Sequence, residues 1–103
     1  MEFMVRLEAN LLADMPQDEI ERLYTAERAR STQLVRHGVI KRLWRIQGTA
    51  KGVLLMEAAT EGELMDVLTS LPLYQFCVAE VDCLIEHPVE AQVRNEQALR
   101  DAQ

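Results

Sequence analysis

One acidic residue lies where a helix is expected to bury its apolar side. The chain between Asp14 and His37 has helical periodicity, and Gly38 is expected to end the helix. At about 100° per residue, one stripe of this helix consists of Ile20, Leu23, Tyr24, Ser31, Leu34 and Val35. Glu27 falls in the middle of that stripe. Burial raises the pKa of a carboxyl group, so this position suits a general base working near neutral pH. The alternative is a structural ion pair with an arginine of the sheet.

An arginine is expected opposite this glutamate. Residues 28–51 contain seven basic residues and no acid, and most of them are explained by a solvated face, intersubunit salt bridges or the helix dipole. In the strand that follows, one alternating set consists of Ile40, Arg42, Trp44 and Ile46. This set is the more apolar one and is expected to face the helices. A guanidinium keeps its charge, so Arg42 needs an anionic partner there, either Glu27 or a substrate carboxylate.

The elements that position these residues follow the order β-α-β-β-α-β. Alternating patterns predict strands over residues 2–8, 39–47 and 76–86, and a mostly apolar run predicts a strand over residues 51–59. A second helix is predicted from the capping box Thr60-Glu61-Gly62-Glu63 to Leu71. Short connections and one apolar stripe per helix predict a ferredoxin-like α+β sandwich with a four-stranded antiparallel sheet. This domain spans residues 1–88, and residues 89–103 are expected to form a polar, partly helical C-terminal arm.

Both helices are expected on the same face of the sheet, which leaves the other face uncovered. The apolar residues expected on the open face are Leu43, Leu55, Val78 and Leu84. These residues predict a face-to-face sheet dimer at least, of the α/β-barrel type. The arm is expected to lie on a neighbouring subunit, because Val89, Val93 and Leu99 are too sparse to support an independent helix.

Composition and cysteine spacing exclude several classes of protein. A net charge of −6 and only 5 % aromatic residues argue against nucleic-acid binding. No stretch approaches the roughly 20 apolar residues of a membrane span, and the N-terminus lacks a secretory signal pattern. Cys77 and Cys83 would be about 20 Å apart on one strand, beyond disulfide reach, and free thiols fit a cytoplasmic setting. No cysteine–histidine cluster is present, so a structural zinc site is not expected, and the sequence contains no P-loop or Gly-rich dinucleotide motif.

Several stretches resemble the muconolactone delta-isomerase family. They are Leu43-Trp44-Arg45-Ile46 with Gly48, Leu71-Pro72-Leu73, Glu80-Val81-Asp82 and His87-Pro88, in matching order and spacing within residues 1–88. The resemblance implies a ferredoxin-like fold, dimers built into a homodecamer, and no cofactor. It also implies an isomerase of the β-ketoadipate route of aromatic catabolism, which converts muconolactone, a small anionic unsaturated lactone, to the 3-oxoadipate enol-lactone. The family's glutamate before a basic residue matches Glu27-Arg28.

This reaction moves a double bond by proton abstraction and reprotonation. It needs one base and a positive group near the developing oxyanion. Glu27 is expected to be the base, and Arg42 to stabilise the anion or hold the substrate carboxylate. Four aromatic side chains are expected to bind the substrate, namely Trp44, Tyr74, Phe76 and Tyr24.

The sequence departs from the family pattern at several of these places. Arg42 replaces a histidine, Gly52-Val53 replaces Asn-Tyr, and Met65 replaces a histidine of the second helix. The family's Phe-Pro-Tyr-Met-Asp run corresponds here to Tyr74-Gln75-Phe76-Cys77-Val78. Two alternatives therefore stay open. One is a paralogue acting on a different small lactone or aromatic-derived substrate, and the other is a non-catalytic oligomeric module that binds small molecules.

Overall fold

The computed structural model of the protein describes residues 1–102. Its elements are strand β1 (Glu2–Ala9), helix α1 (Gln17–Arg36), strands β2 (Ile40–Arg45) and β3 (Lys51–Glu57), helix α2 (Glu61–Thr69), strand β4 (Cys77–Leu84) and helix α3 (Pro88–Asp101). A single 3-10 turn, Tyr74–Phe76, precedes β4. The predicted β-α-β-β-α-β order is confirmed, and a third helix follows it.

The four strands form one antiparallel sheet in the order β2-β3-β1-β4. In its centre Phe3 pairs with Met56 on β3 and Cys83 on β4, and Val5 pairs with Leu54 and Val81. This strand order with two helices on one face confirms the predicted ferredoxin-like α+β sandwich.

The core lies between the sheet and the first two helices. Its buried side chains are Phe3, Val5, Leu34, Ile40, Leu54, Met56, Leu64, Leu68 and Leu71. The residues that alternate with them on the central strands point to the opposite, open face, because side chains in a strand alternate with a period of two.

The helix ends follow local rules with one exception. The capping box of α2 is confirmed, since the Glu63 backbone N–H donates to Thr60 Oγ1 at 3.1 Å. Gly38 follows α1 with a φ of +76°, a conformation that favours glycine. Asp14, whose side chain could cap a helix, does not cap α1, because the helix begins at Gln17 and its N-cap is Pro16, which makes no side-chain capping bond. Pro16 has φ −60° and ψ 144°, the extended conformation usual at an N-cap.

A bulge in β2 decides which residues of that strand face the helices. Ile40 pairs with Met56, but Arg42 pairs with the next residue, Leu55, so one residue of β2 is extra. The extra residue shifts the alternation by one, so that Leu43 and Arg45 face the helices.

Two predictions about this strand are therefore wrong. Arg42, Trp44 and Ile46 do not share the helix-facing side of Ile40; they lie toward the open face. Leu43 does not lie on the open face, because it pairs with the buried Leu54.

The third helix extends away from the sandwich. The molecule measures 64 × 26 × 21 Å, and no residue of α3 is buried. His87 caps the helix through Nδ1, which accepts from the Val89 N–H at 3.1 Å, and Arg94 forms an ion pair with Glu86.

Among residues 1–102, no helix has the length and hydrophobicity to cross a membrane.

Candidate active site

A cavity of about 400 Å³ lies between α1 and the helix-facing side of the sheet, near the end where β1 finishes and β3 begins. Its apolar wall consists of Leu7, Leu43, Leu54, Leu71 and Leu73, with the small residues Ala9, Ala50 and Gly52. Its polar residues are Tyr24, Glu27, Ser31, Thr49, Arg45 and Cys77. This volume and mostly apolar lining suit a small organic ligand held by a few polar groups.

Glu27 reaches the cavity from α1, one turn from Tyr24 and one turn from Ser31, so the three side chains share a helix face. Its Oε2 atom is buried and accepts no hydrogen bond from residues 1–102. Burial raises the pKa of this carboxyl above the ordinary 4.5, and a hydrogen bond from the Leu73 backbone N–H opposes that rise with a smaller effect. The carboxylate is therefore poorly solvated and holds a proton more tightly than an exposed glutamate does.

The cavity's cation is Arg45, which the β2 bulge turns toward the helices opposite Gly52. In the described part of the chain the ion pairs involve Arg6, Lys41, Lys51 and Arg94, so Arg45 has no carboxylate partner there. The pKa of Glu27 is set mainly by burial, with the Leu73 N–H opposing the rise. An unpaired guanidinium in a mostly apolar cavity can bind an anionic group of a ligand.

Cys77 begins β4 and lines the same cavity. Its Sγ donates to the Leu73 carbonyl at 3.2 Å, and burial together with the negative charge of Glu27 raises the pKa of this thiol above 9.0. The side chain is therefore a neutral thiol at pH 7. Both cysteines are free.

The residues proposed for the site from sequence are divided between two faces. Glu27 and Tyr24 meet in the cavity. On the opposite face the Arg42 guanidinium stacks 4.9 Å from the centre of the Trp44 ring.

The other two aromatic residues lie outside the cavity lining. Tyr74 packs against the core, and Phe76 is half-buried in the turn before β4. No cluster of three or more potential metal ligands occurs within residues 1–102.

Sequence reasoning missed Arg45 and Cys77 as cavity residues. Strict alternation from Ile40 places Arg45 on the face opposite the helices, and the sequence carries no local signal of the β2 bulge that reverses this. The signal for Cys77 was present, because it begins the apolar stripe of β4 that pairs with β1 on the helix-facing side.

Glu27→Gln is expected to melt a few degrees above the wild type at pH 8. The folded carboxyl has a higher pKa than the unfolded one, so the stability associated with its protonated form is complete below about pH 4.5 and is lost as the pH rises through the folded pKa. Glutamine is neutral throughout and does not suffer this loss. Thermal melts of both proteins from pH 4 to pH 8 measure the effect, and a gap that does not widen with pH contradicts it.

Fold and cavity together define a class: a ferredoxin-like protein with a small-molecule site that combines a buried carboxyl with an unpaired guanidinium. The sequence model of the muconolactone delta-isomerase family matches residues 1–90. The chain belongs to this family, and the match ends near the start of α3.

Individual relatives agree with this assignment. The muconolactone delta-isomerase of Acinetobacter baylyi is 34 % identical over 88 residues, which cover 85 % of this chain and 92 % of the relative. The muconolactone delta-isomerase of Pseudomonas aeruginosa is 35 % identical over 88 residues, which also cover 85 % of this chain and 92 % of the relative. A crystal structure of muconolactone isomerase superposes with a TM-score of 0.81 at 32 % identity, covering 85 % of this chain and 92 % of that one. A 5-chloro-2-hydroxyhydroquinone dehydrochlorinase from Burkholderia phenoliruptrix, 18 % identical with a TM-score of 0.59, shares the fold.

Proposed function

We propose that this protein is an isomerase of aromatic-compound catabolism that converts muconolactone to the 3-oxoadipate enol-lactone. The observation that carries the proposal is the cavity in which the buried, unpartnered Oε2 of Glu27 lies with the unpaired Arg45. The relatives named muconolactone delta-isomerase support muconolactone as the substrate in this proposal. The proposed setting is the cytoplasm, in keeping with the free thiols of Cys77 and Cys83.

In the proposed reaction the Glu27 carboxylate removes a proton from a ring carbon that is activated by conjugation with the lactone carbonyl. The electron pair of the broken C–H bond moves through the ring and produces a dienolate, whose negative charge lies largely on the carbonyl oxygen. The protonated Glu27 then returns the proton to a different ring carbon, and the double bond has moved. Protons and electrons balance within the substrate and Glu27.

Arg45 supplies the positive charge in this proposal. Its guanidinium either donates to the dienolate oxygen or holds the substrate's carboxymethyl group through two parallel hydrogen bonds. Either role is open to Arg45, because no carboxylate of the described chain engages it. The apolar part of the cavity wall lowers the local polarity around a bound substrate, which strengthens its ion pair with Arg45.

The direct test is turnover of muconolactone by the purified protein, followed by NMR through the loss of the starting ring-vinyl signals and the growth of the enol-lactone. Conversion that depends on enzyme concentration supports the proposal. Saturable binding without conversion would instead assign the protein to the non-catalytic alternative. Neither binding nor conversion would reject muconolactone as the ligand.

We also propose that a second copy covers the open sheet face. Trp44 is 41 % and Val78 is 62 % exposed there, and Leu84 at the end of β4 is 39 % exposed. Arg42 lies on one edge strand, and Glu80 on the other forms an exposed ion pair with Arg6 at 3.6 Å. The open face therefore carries both signs of charge, and two copies related by a two-fold axis can place opposite charges near each other. Burying about 600 Å² of apolar surface on each partner contributes on the order of 15 kcal/mol per partner before the cost of association.

Light scattering on the full chain is expected to give at least twice the monomer mass of 11.8 kDa. Val78→Asp is expected to reduce that mass, because it places a carboxylate in the apolar contact. The matched control is Val35→Asp, which places the same carboxylate at a 45 % exposed position of α1, away from both the open sheet face and the arm. A monomeric wild type would contradict the proposal.

A chain ending at Pro88 tests the arm separately, since an unchanged mass would show that α3 does not contribute to the assembly.

A further inference from the structure

Gly52 lines the cavity, and its backbone conformation does not require a glycine at this position. It is the second residue of β3 and pairs with Leu7 on β1 and Arg45 on β2. The glycines with positive φ are Gly38 and Gly48, so Gly52 has a conformation that any residue adopts. Glycine within a strand costs stability and often marks a place where a ligand approaches closely.

Packing does not require this glycine either. A Cβ at position 52 would meet Leu54 Cδ1 and the Trp44 carbonyl oxygen at 3.8 Å, which is ordinary van der Waals contact. It would lie on the same side of β3 as the buried Leu54, since residues two apart share a face. The Cβ would therefore project into the cavity between Leu7 and Arg45. The effect of the missing side chain is to leave that space open.

The surroundings of this space determine what fits it. The side chains near it are small, because Ala50 precedes β3 and Ala9 pairs with Cys77 at the same end of the sheet. Apart from Arg45, which the proposed mechanism assigns to the substrate's negative charge, the lining here is apolar or weakly polar. The space therefore suits a small apolar group, such as a methyl group or a chlorine atom, rather than a second charged arm.

We infer that the preferred substrate is a lactone carrying an additional ring substituent of about methyl size, which lies against Gly52 beside Arg45. Gly52 is then a specificity-determining residue. The inference rests on the proposed isomerase function and refines its substrate class. The substituent stays on the ring, and the proton transfer by Glu27 is unchanged.

The test compares kcat/KM for muconolactone and for its ring-methylated analogues in the wild type, Gly52→Ala and Gly62→Ala. The wild type is expected to convert at least one methylated lactone with a kcat/KM no lower than that for muconolactone. Gly52→Ala should lower the preference for the methylated lactone by about tenfold or more, the usual effect of one methyl group in a tight apolar pocket. Gly62→Ala is the matched control, because its Cβ would contact Thr60 Oγ1 in α2 and lies outside the cavity lining.

The outcomes separate this inference from the proposed function. Turnover of muconolactone alone, or an equal loss on both lactones in Gly52→Ala, overturns the substituent inference and leaves the isomerase proposal intact. No turnover of any lactone by the wild type overturns both. A thermal melt of Gly52→Ala completes the test. A melting temperature no lower than that of the wild type is expected, and unfolding of the variant would overturn the conclusion that packing tolerates a Cβ at this position.

Discussion

Glu27→Gln is expected to lower kcat for muconolactone by about two to four orders of magnitude, the usual contribution of a general base. Glutamine keeps the size and polarity of the side chain but cannot accept the substrate proton. The loss should appear mainly in kcat, because the proposed role of Glu27 is proton transfer and not binding of the substrate's charged arm. The matched control is Glu21→Gln on the exposed side of α1, which should behave like the wild type.

The pH dependence gives an independent readout of the same residue. Wild-type kcat/KM should rise with pH through the Glu27 pKa, which burial places above 4.5, because the ionised form is the base. The residual activity of Glu27→Gln should lack this rise. A variant that keeps most of the wild-type rate, or keeps the same acidic limb, would show that another group removes the proton.

Arg45→Gln is expected to lower kcat/KM by about two to three orders of magnitude, comparable to the loss of a donor to a developing oxyanion. Arg42→Gln provides the matched control, since it removes the same charge from the opposite face of the same strand. Arg45→Lys should recover part of the loss because it restores the charge without the paired donors.

The kinetic pattern also separates the two roles proposed for this arginine. A rise in KM with little change in kcat indicates that Arg45 anchors the carboxymethyl group, whereas a fall in kcat indicates that it stabilises the dienolate. A larger loss for Arg42→Gln than for Arg45→Gln, at unchanged oligomer mass, would contradict the assignment. It would place the catalytic cation on the open face.

Structural features that depend only on residues close together in the chain could be predicted from the sequence. The alternation in β1 places Phe3 and Val5 on one face, and both are core residues, because a half-buried strand repeats every two residues. Thr60 and Glu63 identified the start of α2 through one local hydrogen bond. Glu27 stood out because it is a charged residue within an apolar helix stripe, and this pattern is complete within α1.

The tertiary structure decided which residues meet Glu27. A single extra residue in β2 exchanges the faces of Arg42 and Arg45, and it arises from pairing with β3 rather than from any local preference of the strand. Cys77 joins the cavity only because β4 pairs with β1 beside Ala9. The sequence by itself therefore determined the fold class and the candidate base, whose signals are periodic and local. The cation and the open space at Gly52 depend on the register between strands distant in the chain, and only the folded sheet specifies that register.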